Sequence, residues 1–439
     1  MTDATFSPDE DVAKAPAKGL TTADGRPLKQ ALARAQSHAR WRAFFLVAPL
    51  LAFILLTFVV PIGQMLHRSV YNDGFTLHED IGSGTQTPLM TNLKTWFKDN
   101  PAGTDPDEAA FAALAADLLV LREVKAAGQA GTRINYELSG SRSMFTKAAR
   151  RAKKLEPPYK EAILDLDEDW GDPMLWRVMR DATSAYTANF YLAAMDRTKD
   201  VDGNVVSVNE NRQVYVKLFT RTLMLSLLIT FLCFLLAYPI AHLLATLPLA
   251  KSNLLMILVL LPFWTSLLVR TTSWMVLLQS QGVVNDALVS MGLLGDENRL
   301  QMMYNQLGTI IAMTHILLPF MVLPLYSVMR PINPSYVRAA RSLGATSWTA
   351  FRRIYFPQTV PGIGAGALLV FILAVGYYIT PALVGGADGQ LISNLIAFHM
   401  QKSLNWSLAA ALAALLLGGI LLLYWLYDRL VGIDNLKLG

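Results

Sequence analysis

The side chains that most often do chemistry are scarce in this chain. There are six histidines, His38, His67, His78, His242, His315 and His399, and one cysteine, Cys233. None of them stands at a metal-ligand spacing, so no metal or other cofactor is expected. A Gly-x-x-x-x-Gly-Lys-Ser/Thr phosphate loop does not occur in the sequence. No Ser/His/Asp or Cys/His set can be picked out, so the chain is expected to be non-catalytic by itself. What does stand out is a pattern suited to holding a protein partner. Arg338-Ala339-Ala340 is followed after three residues by Gly344, and after nine more by Ile354-Tyr355-Phe356-Pro357. Asn333 is a helix cap with Pro334 in the first turn, where a missing N–H costs nothing. Ala339 and Ala340 allow close approach, and Gly344 suits a left-handed helix stop. A second short helix is expected from near Thr346 and should end before Pro357. Val337, Leu343, Trp348 and Phe351 supply apolar surface. A capped, glycine-hinged helix–turn–helix of this kind is a compact peg for a protein socket.

The elements around that peg are apolar. The chain has 439 residues, 53% of them hydrophobic and 16% charged, with mean hydropathy +0.35; soluble domains carry about 25% charged residues. A membrane helix needs about 20 mostly apolar residues. Six segments qualify: 43–65, 219–246, 253–278, 305–329, 358–383 and 405–427. Prolines such as Pro239, Pro262, Pro319 and Pro324 fall inside them, which lipid-embedded helices tolerate when neighbours re-satisfy the freed carbonyls. Cys233 lies in one of these runs and reads as a packed hydrophobe. The fold class is therefore an all-α membrane protein with six transmembrane helices.

Charge sets the orientation. The tail 1–42 carries Lys14, Lys18, Arg26, Lys29, Arg34 and Arg40, and the segment 330–357 carries Arg330, Arg338, Arg341, Arg352 and Arg353 without an acid. By the positive-inside rule both lie in the cytoplasm, as do both termini, including the tail 431–439. The first span then reads as an uncleaved signal anchor. Of the 33 acidic residues, 22 fall between Arg68 and Val214. This stretch, 66–214, is far too long for a simple loop. Helical spacing over Asp107–Ala127 and Arg142–Leu155 predicts a large, mainly helical extracytoplasmic insertion between the first two spans. Trp96, Trp170, Trp176, Tyr186, Phe190 and Tyr191 could seed its core. Two roles stay open for it, packing on the spans or docking a binding protein. The basic excess is local, with no basic patch on a soluble domain, so nucleic acid is not an expected partner.

The Arg338–Pro357 pattern resembles the EAA loop of binding-protein-dependent ABC importer permeases: Glu-Ala-Ala, three residues, Gly, nine residues, Ile-x-Leu-Pro. The spacing matches throughout, with Arg338 in place of Glu and Phe356 in place of Leu. Pro262-Phe263-Trp264-Thr265-Ser266 with Leu268-Val269-Arg270-Thr271 is similar to the third span of spermidine/putrescine-type permeases. Pro319–Tyr326 and Leu369–Gly386 are similar to their fourth and fifth. The likeness covers about 215–430 plus the first span, and leaves the insertion aside. It implies a permease core of TM2–TM6, with Arg338, Ala339, Ala340, Gly344, Ile354 and Pro357 coupling to an ABC ATPase dimer. It also implies a second, different permease subunit, an extracytoplasmic solute-binding protein, residence in the bacterial inner membrane, and alternating access driven by the partner ATPase. Leu138-Ser139-Gly140-Ser141-Arg142 loosely matches an ABC ATPase signature, but it sits in the insertion with no companion motif and reads as chance.

Charge inside a membrane is costly and usually functional. Arg270 lies 18 residues past Ser252, or about 27 Å at 1.5 Å per residue, close to the outer interface. Snorkelling and lining of the outer vestibule both fit it. No Asp or Glu occupies the middle of any span, so a polyamine would be held by aromatics or by an acid that the partner permease supplies. Trp264, Trp274, Tyr377 and Tyr378 join Arg270 as candidate pathway residues, and an opine or amino-acid derivative stays open as cargo. Two alternatives belong to other classes. A secondary transporter needs inverted repeats that are not evident, and a membrane-anchored sensor leaves the peg unexplained.

Overall fold

Apolar runs in lipid must close their backbone hydrogen bonds internally, and here they do so as helices. The computed structural model describes residues 28–80, 82 and 84–431. Most of the basic tail 1–42 and nearly all of the tail 431–439 lie outside these residues. The chain falls into two compact units divided between Gln64 and Met65. The first contains α1 (Leu28–Ile54), which continues through a π-turn into α2 (Val60–Arg68). Its large apolar side chains, Phe44 to Val60 among them, are exposed, as befits a lipid-facing span.

Within the second unit the segment between α2 and the next span folds mainly as short helices with two small hairpins. These include α3 (Thr91–Asp99), α4 (Glu108–Glu123), α5 (Ala127–Asn135), α6 (Ser141–Arg151), α7 (Pro173–Ala182) and α8 (Asn189–Ala194). Strand β1 (Leu77–Glu79) pairs with β2 (Gln86–Pro88), and β3 (Arg197–Lys199) pairs with β4 (Val205–Ser207), both antiparallel. Phe111, Leu114, Leu118 and Leu121 recur on one face of α4 and are fully buried, worth about 1.5–3 kcal/mol each. Trp96, Trp170 and Trp176 join this core. The other three expected aromatics do not: Phe190 and Tyr191 pack in a separate cluster with Leu218, Ile392 and Leu412, while Tyr186 is exposed. The helix of Phe190 and Tyr191 packs towards the membrane core.

The membrane core is built on α9 (Tyr215–Thr246), α12 (Gln306–Met329) and α15 (Phe356–Gly376). Cys233, Ala237, Ala241, Met321, Leu325 and Ala374 form its dry centre. Cys233 is buried there as a hydrophobe, its Sγ donating weakly to Thr314 O at 3.4 Å. Close packing needs Gly362: a Cβ there would sit 3.0 Å from Pro324 O and 3.2 Å from Leu325 Cα. The remaining helices are α10 (Leu249–Leu260), α11 (Leu267–Leu277), α13 (Pro334–Ser342), α14 (Ser347–Ala350), α16 (Ile379–Val384), α17 (Ile392–Gln401) and α18 (Trp406–Val431).

Among the described residues five helices are long and apolar enough to cross a membrane, and a sixth span is available only as a bent pair. The expected continuous span 253–278 is instead broken, with Leu249–Trp264 and Leu267–Leu277 meeting at 96°. Pro262 tightens the end of the first piece into a 3-10 turn, and Ser266 Oγ caps the second by accepting from Val269 N at 3.2 Å. The span expected over 358–383 also differs. Its helix ends at Gly376, Tyr377 is extended, and α16 follows as a separate piece. The carbonyls freed at this break are taken up by side chains, Ser393 Oγ donating to Tyr377 O at 2.6 Å and Asn394 Nδ2 to Tyr378 O at 2.7 Å.

Candidate functional site

The peg forms as its sequence dictates for one and a half helices. Asn333 Oδ1 accepts from Ser335 N at 2.9 Å, with Pro334 in the first turn of α13. Gly344 adopts φ +91°. Its N–H donates to Arg341 O at 3.0 Å, and Ala345 N–H to Ala340 O at 3.1 Å, the paired bonds of a left-handed helix stop. Thr346 Oγ1 then caps α14 through Thr349 N at 3.2 Å. The second helix does not end before Pro357. It widens into a π-turn over Phe351–Tyr355, and Pro357 occupies the first turn of α15. Pro357 has no N–H to give the preceding turn, and beside it Gln358 Nε2 donates to the Ile354 carbonyl at 2.6 Å. The peg is thus continuous with a core helix.

Of the motif residues, Arg338 and Ala339 are exposed on α13, Ala340 is half-buried beside them, Gly344 is at the turn, and half-buried Ile354 lies in the π-turn. Leu343 is 89% exposed and Trp348 66%, an apolar tip left largely uncovered by the described residues. Its base is held firmly. Arg330 donates to Ala245 O at 2.7 Å and Leu247 O at 2.9 Å, closing the last turn of α9. His242 Nδ1 meets the Tyr355 hydroxyl at 3.1 Å, and Phe351 stacks on Trp348 with ring centroids 5.6 Å apart. A cleft of about 820 Å³ separates the peg from the ends of α9 and α12. Arg330, His242 and Tyr355 were not singled out in the sequence; only the run of basic residues pointed near them.

The candidate pathway residues gather at the two breaks. Arg270 and Trp274 lie on α11, Tyr377 and Tyr378 at the α15–α16 break, and Trp264 in the 3-10 turn, where it is 74% exposed. Thr271 and Thr380 hydroxyls, 3.1 Å apart, join α11 to α16. Trp274 Nε1 donates to His315 Nδ1 at 3.0 Å. The Arg270 Nε is shielded, without a hydrogen-bond partner among the described residues. The structure therefore joins Trp274 to His315 and α11 to α16, and Arg270 lies beside Thr271 on the same helix.

Broken membrane helices and an exposed helical peg thus belong to one multi-span chain. Residues 222–432 match the family model of the binding-protein-dependent transport system inner membrane component. The spermidine/putrescine transport system permease protein PotB of Escherichia coli (strain K12) is 36% identical over 221 residues, which cover 50% of this chain and 80% of that protein. PotB of Haemophilus influenzae is 35% identical over 224 residues, covering 51% and 78%. A bacterial alginate ABC transporter solved with its pentasaccharide-bound periplasmic protein matches at 18% identity and TM-score 0.44, over 51% of this chain and 80% of that one. The chain belongs to the family of binding-protein-dependent transport system inner membrane components and is the permease subunit of an ABC importer. Such a subunit is a multi-pass inner-membrane protein that works with an ATPase and a solute-binding protein.

Proposed function

We propose that the segment Arg338–Pro357 couples this permease to a partner ATPase, which supplies the hydrolysis that this chain does not perform. The observation that carries the reading is the exposed apolar tip, Leu343 and Trp348, on a capped peg that runs without interruption into α15. Displacement of the tip would be transmitted to the α15–α16 break at Tyr377 and Tyr378, which with Arg270, Trp274 and Trp264 are the proposed pathway residues. The peg and both termini face the cytoplasm in this reading, and residues 66–214 lie outside. The cargo is a small organic solute, and the names of the permeases it resembles favour a polyamine. Aromatic faces would then hold the ammonium groups, at about 0.5–2 kcal/mol each. A second permease chain completes the pathway, and its identity as a different chain rests on the family likeness.

The test is ATP-driven uptake in proteoliposomes containing the assembled importer. Leu343→Asp places a charge on the apolar tip while leaving the fold untouched, because that side chain has almost no neighbours. Uptake and binding-protein-stimulated ATP hydrolysis are expected to fall together by about tenfold or more, equivalent to about 1.4 kcal/mol of lost contact. Normal coupling in that variant would remove the peg from its role. Thermal shift of the cognate binding protein with putrescine, spermidine and amino-acid derivatives decides the cargo.

A further inference from the structure

Among the cavities away from the peg and from both helix breaks, one is bounded by residues of separate membrane-helix ends. It encloses about 300 Å³ between the insertion and the loop preceding α18, and its walls include Arg68, Arg133, Arg142, Trp406 and Ser407. We infer that it is a binding site for a phosphate oxyanion, with the headgroup of an acidic phospholipid as its occupant.

Three arginines, Arg68, Arg133 and Arg142, line this small space, and its lining residues include no Asp or Glu. Arg133 is 4% exposed and fixed in place. Its Nε donates to Asn72 Oδ1 at 2.5 Å, one Nη donates to Glu137 at 2.8 Å, and its plane lies 4.9 Å from the centre of the Phe190 ring. The other Nη is buried with no partner among the described residues, an uncommon state for a guanidinium donor. Glu137 balances one charge. Arg68 and Arg142 are exposed and make no ion pair among the described residues, so two positive charges are left without a counter-ion. Ser407 adds a hydroxyl. Fork-shaped guanidinium donors converging from separate elements match the geometry of phosphate oxygens.

The position selects the source. Arg68 is the last residue of one membrane-spanning helix and Trp406 the first of another, and the Arg68 guanidinium stands 5.8 Å from the centre of the Trp406 ring. Arginine and tryptophan at helix ends mark the headgroup layer. The cavity therefore opens where phospholipid phosphates lie. It has room for a phosphodiester with its glycerol, while the acyl chains would stay in the bilayer. A headgroup bound there would bridge the insertion to the start of α18.

The test uses the full-length chain in nanodiscs of phosphatidylcholine alone or with about a fifth phosphatidylglycerol. Lipid retained on the protein is counted by native mass spectrometry, and the thermal midpoint is followed in parallel. The Arg68→Gln/Arg142→Gln double variant is expected to lose about tenfold in phosphatidylglycerol retention and to lose the midpoint rise that the acidic lipid gives the parent. Lys147→Gln, which removes an exposed charge elsewhere on the insertion, should behave as the parent. Arg133 is left intact because its removal would disturb the fold. Inorganic phosphate added to phosphatidylcholine discs separates the sources: an arginine-dependent midpoint rise of the same size supports the oxyanion site and assigns it to a free anion. Equal lipid retention by parent and double variant, with no arginine-dependent response to phosphate, overturns the site.

Discussion

Asp117 shows how much one side chain can organise. Helix α3 begins after Met90, which has φ +55° and no side chain able to cap. The cap comes from α4 instead. Asp117 Oδ1 accepts from Asn92 N at 3.1 Å and Asn92 Nδ2 at 2.9 Å, and Oδ2 accepts from Leu93 N at 2.8 Å. Burial pushes this carboxyl above its usual value of 3.8, and the three donors pull the other way without cancelling it. The folded state thus holds the proton more tightly than the unfolded state. The stabilising share of this group is fully present below 3.8 and is lost as pH rises through the raised value. In Asp117→Asn one amide nitrogen must face an N–H donor, so a loss of about 1–3 kcal/mol is expected. The melting-temperature gap between parent and variant should narrow as pH rises above 3.8. A gap that widens with pH would show the carboxyl to be held low instead.

At the scale of elements, the peg was legible because local chemistry decides it. Asn333, Pro334, Gly344 and Thr346 act on their own neighbours within four residues, and each behaves as its type demands. The helix breaks were not legible in the same way. The 96° bend after Trp264 and the interruption at Tyr377 lie inside unbroken apolar runs, and hydropathy has no term for direction. They persist because partners far along the chain, Ser393 and Asn394 at one break, satisfy the backbone left open there. Pro357 misled for the opposite reason: a residue that usually ends a helix opens one here, after a π-turn. Gly344 gives a clean test of the hinge. A Cβ at this position meets nothing within 4 Å, so only its φ of +91° matters. Gly344→Val should cost about 1–2 kcal/mol locally and impair uptake. Gly344→Asn, which tolerates the left-handed region, should recover most of the loss. Equal activity in both variants would mean that the stop is not needed.

At the scale of the whole molecule, the insertion is fastened to the membrane core by polar groups whose partners are remote in sequence. Tyr136 donates to Leu404 O at 3.0 Å, and α8 packs beside α18 and the start of α9. The tightest joint is Asp196, buried just before β3. Its carboxylate accepts from Val214 N at 3.0 Å, Tyr215 N at 3.1 Å and Val216 N at 2.7 Å. Val214 itself offers no side-chain cap to this helix. An anionic cap at the positive end of a helix satisfies its orphan donors and its dipole together. The first turn of a core span is therefore set by the insertion. Asp196→Ala is expected to lower the local opening free energy there by about 1–3 kcal/mol. Hydrogen exchange at Val214, Tyr215 and Val216 should speed up accordingly, while the amides of α4 in the insertion core keep their protection. Asp196→Asn keeps one acceptor oxygen and should fall between the two. If exchange at those three amides is unchanged in the alanine variant, the insertion rests against the span without holding it.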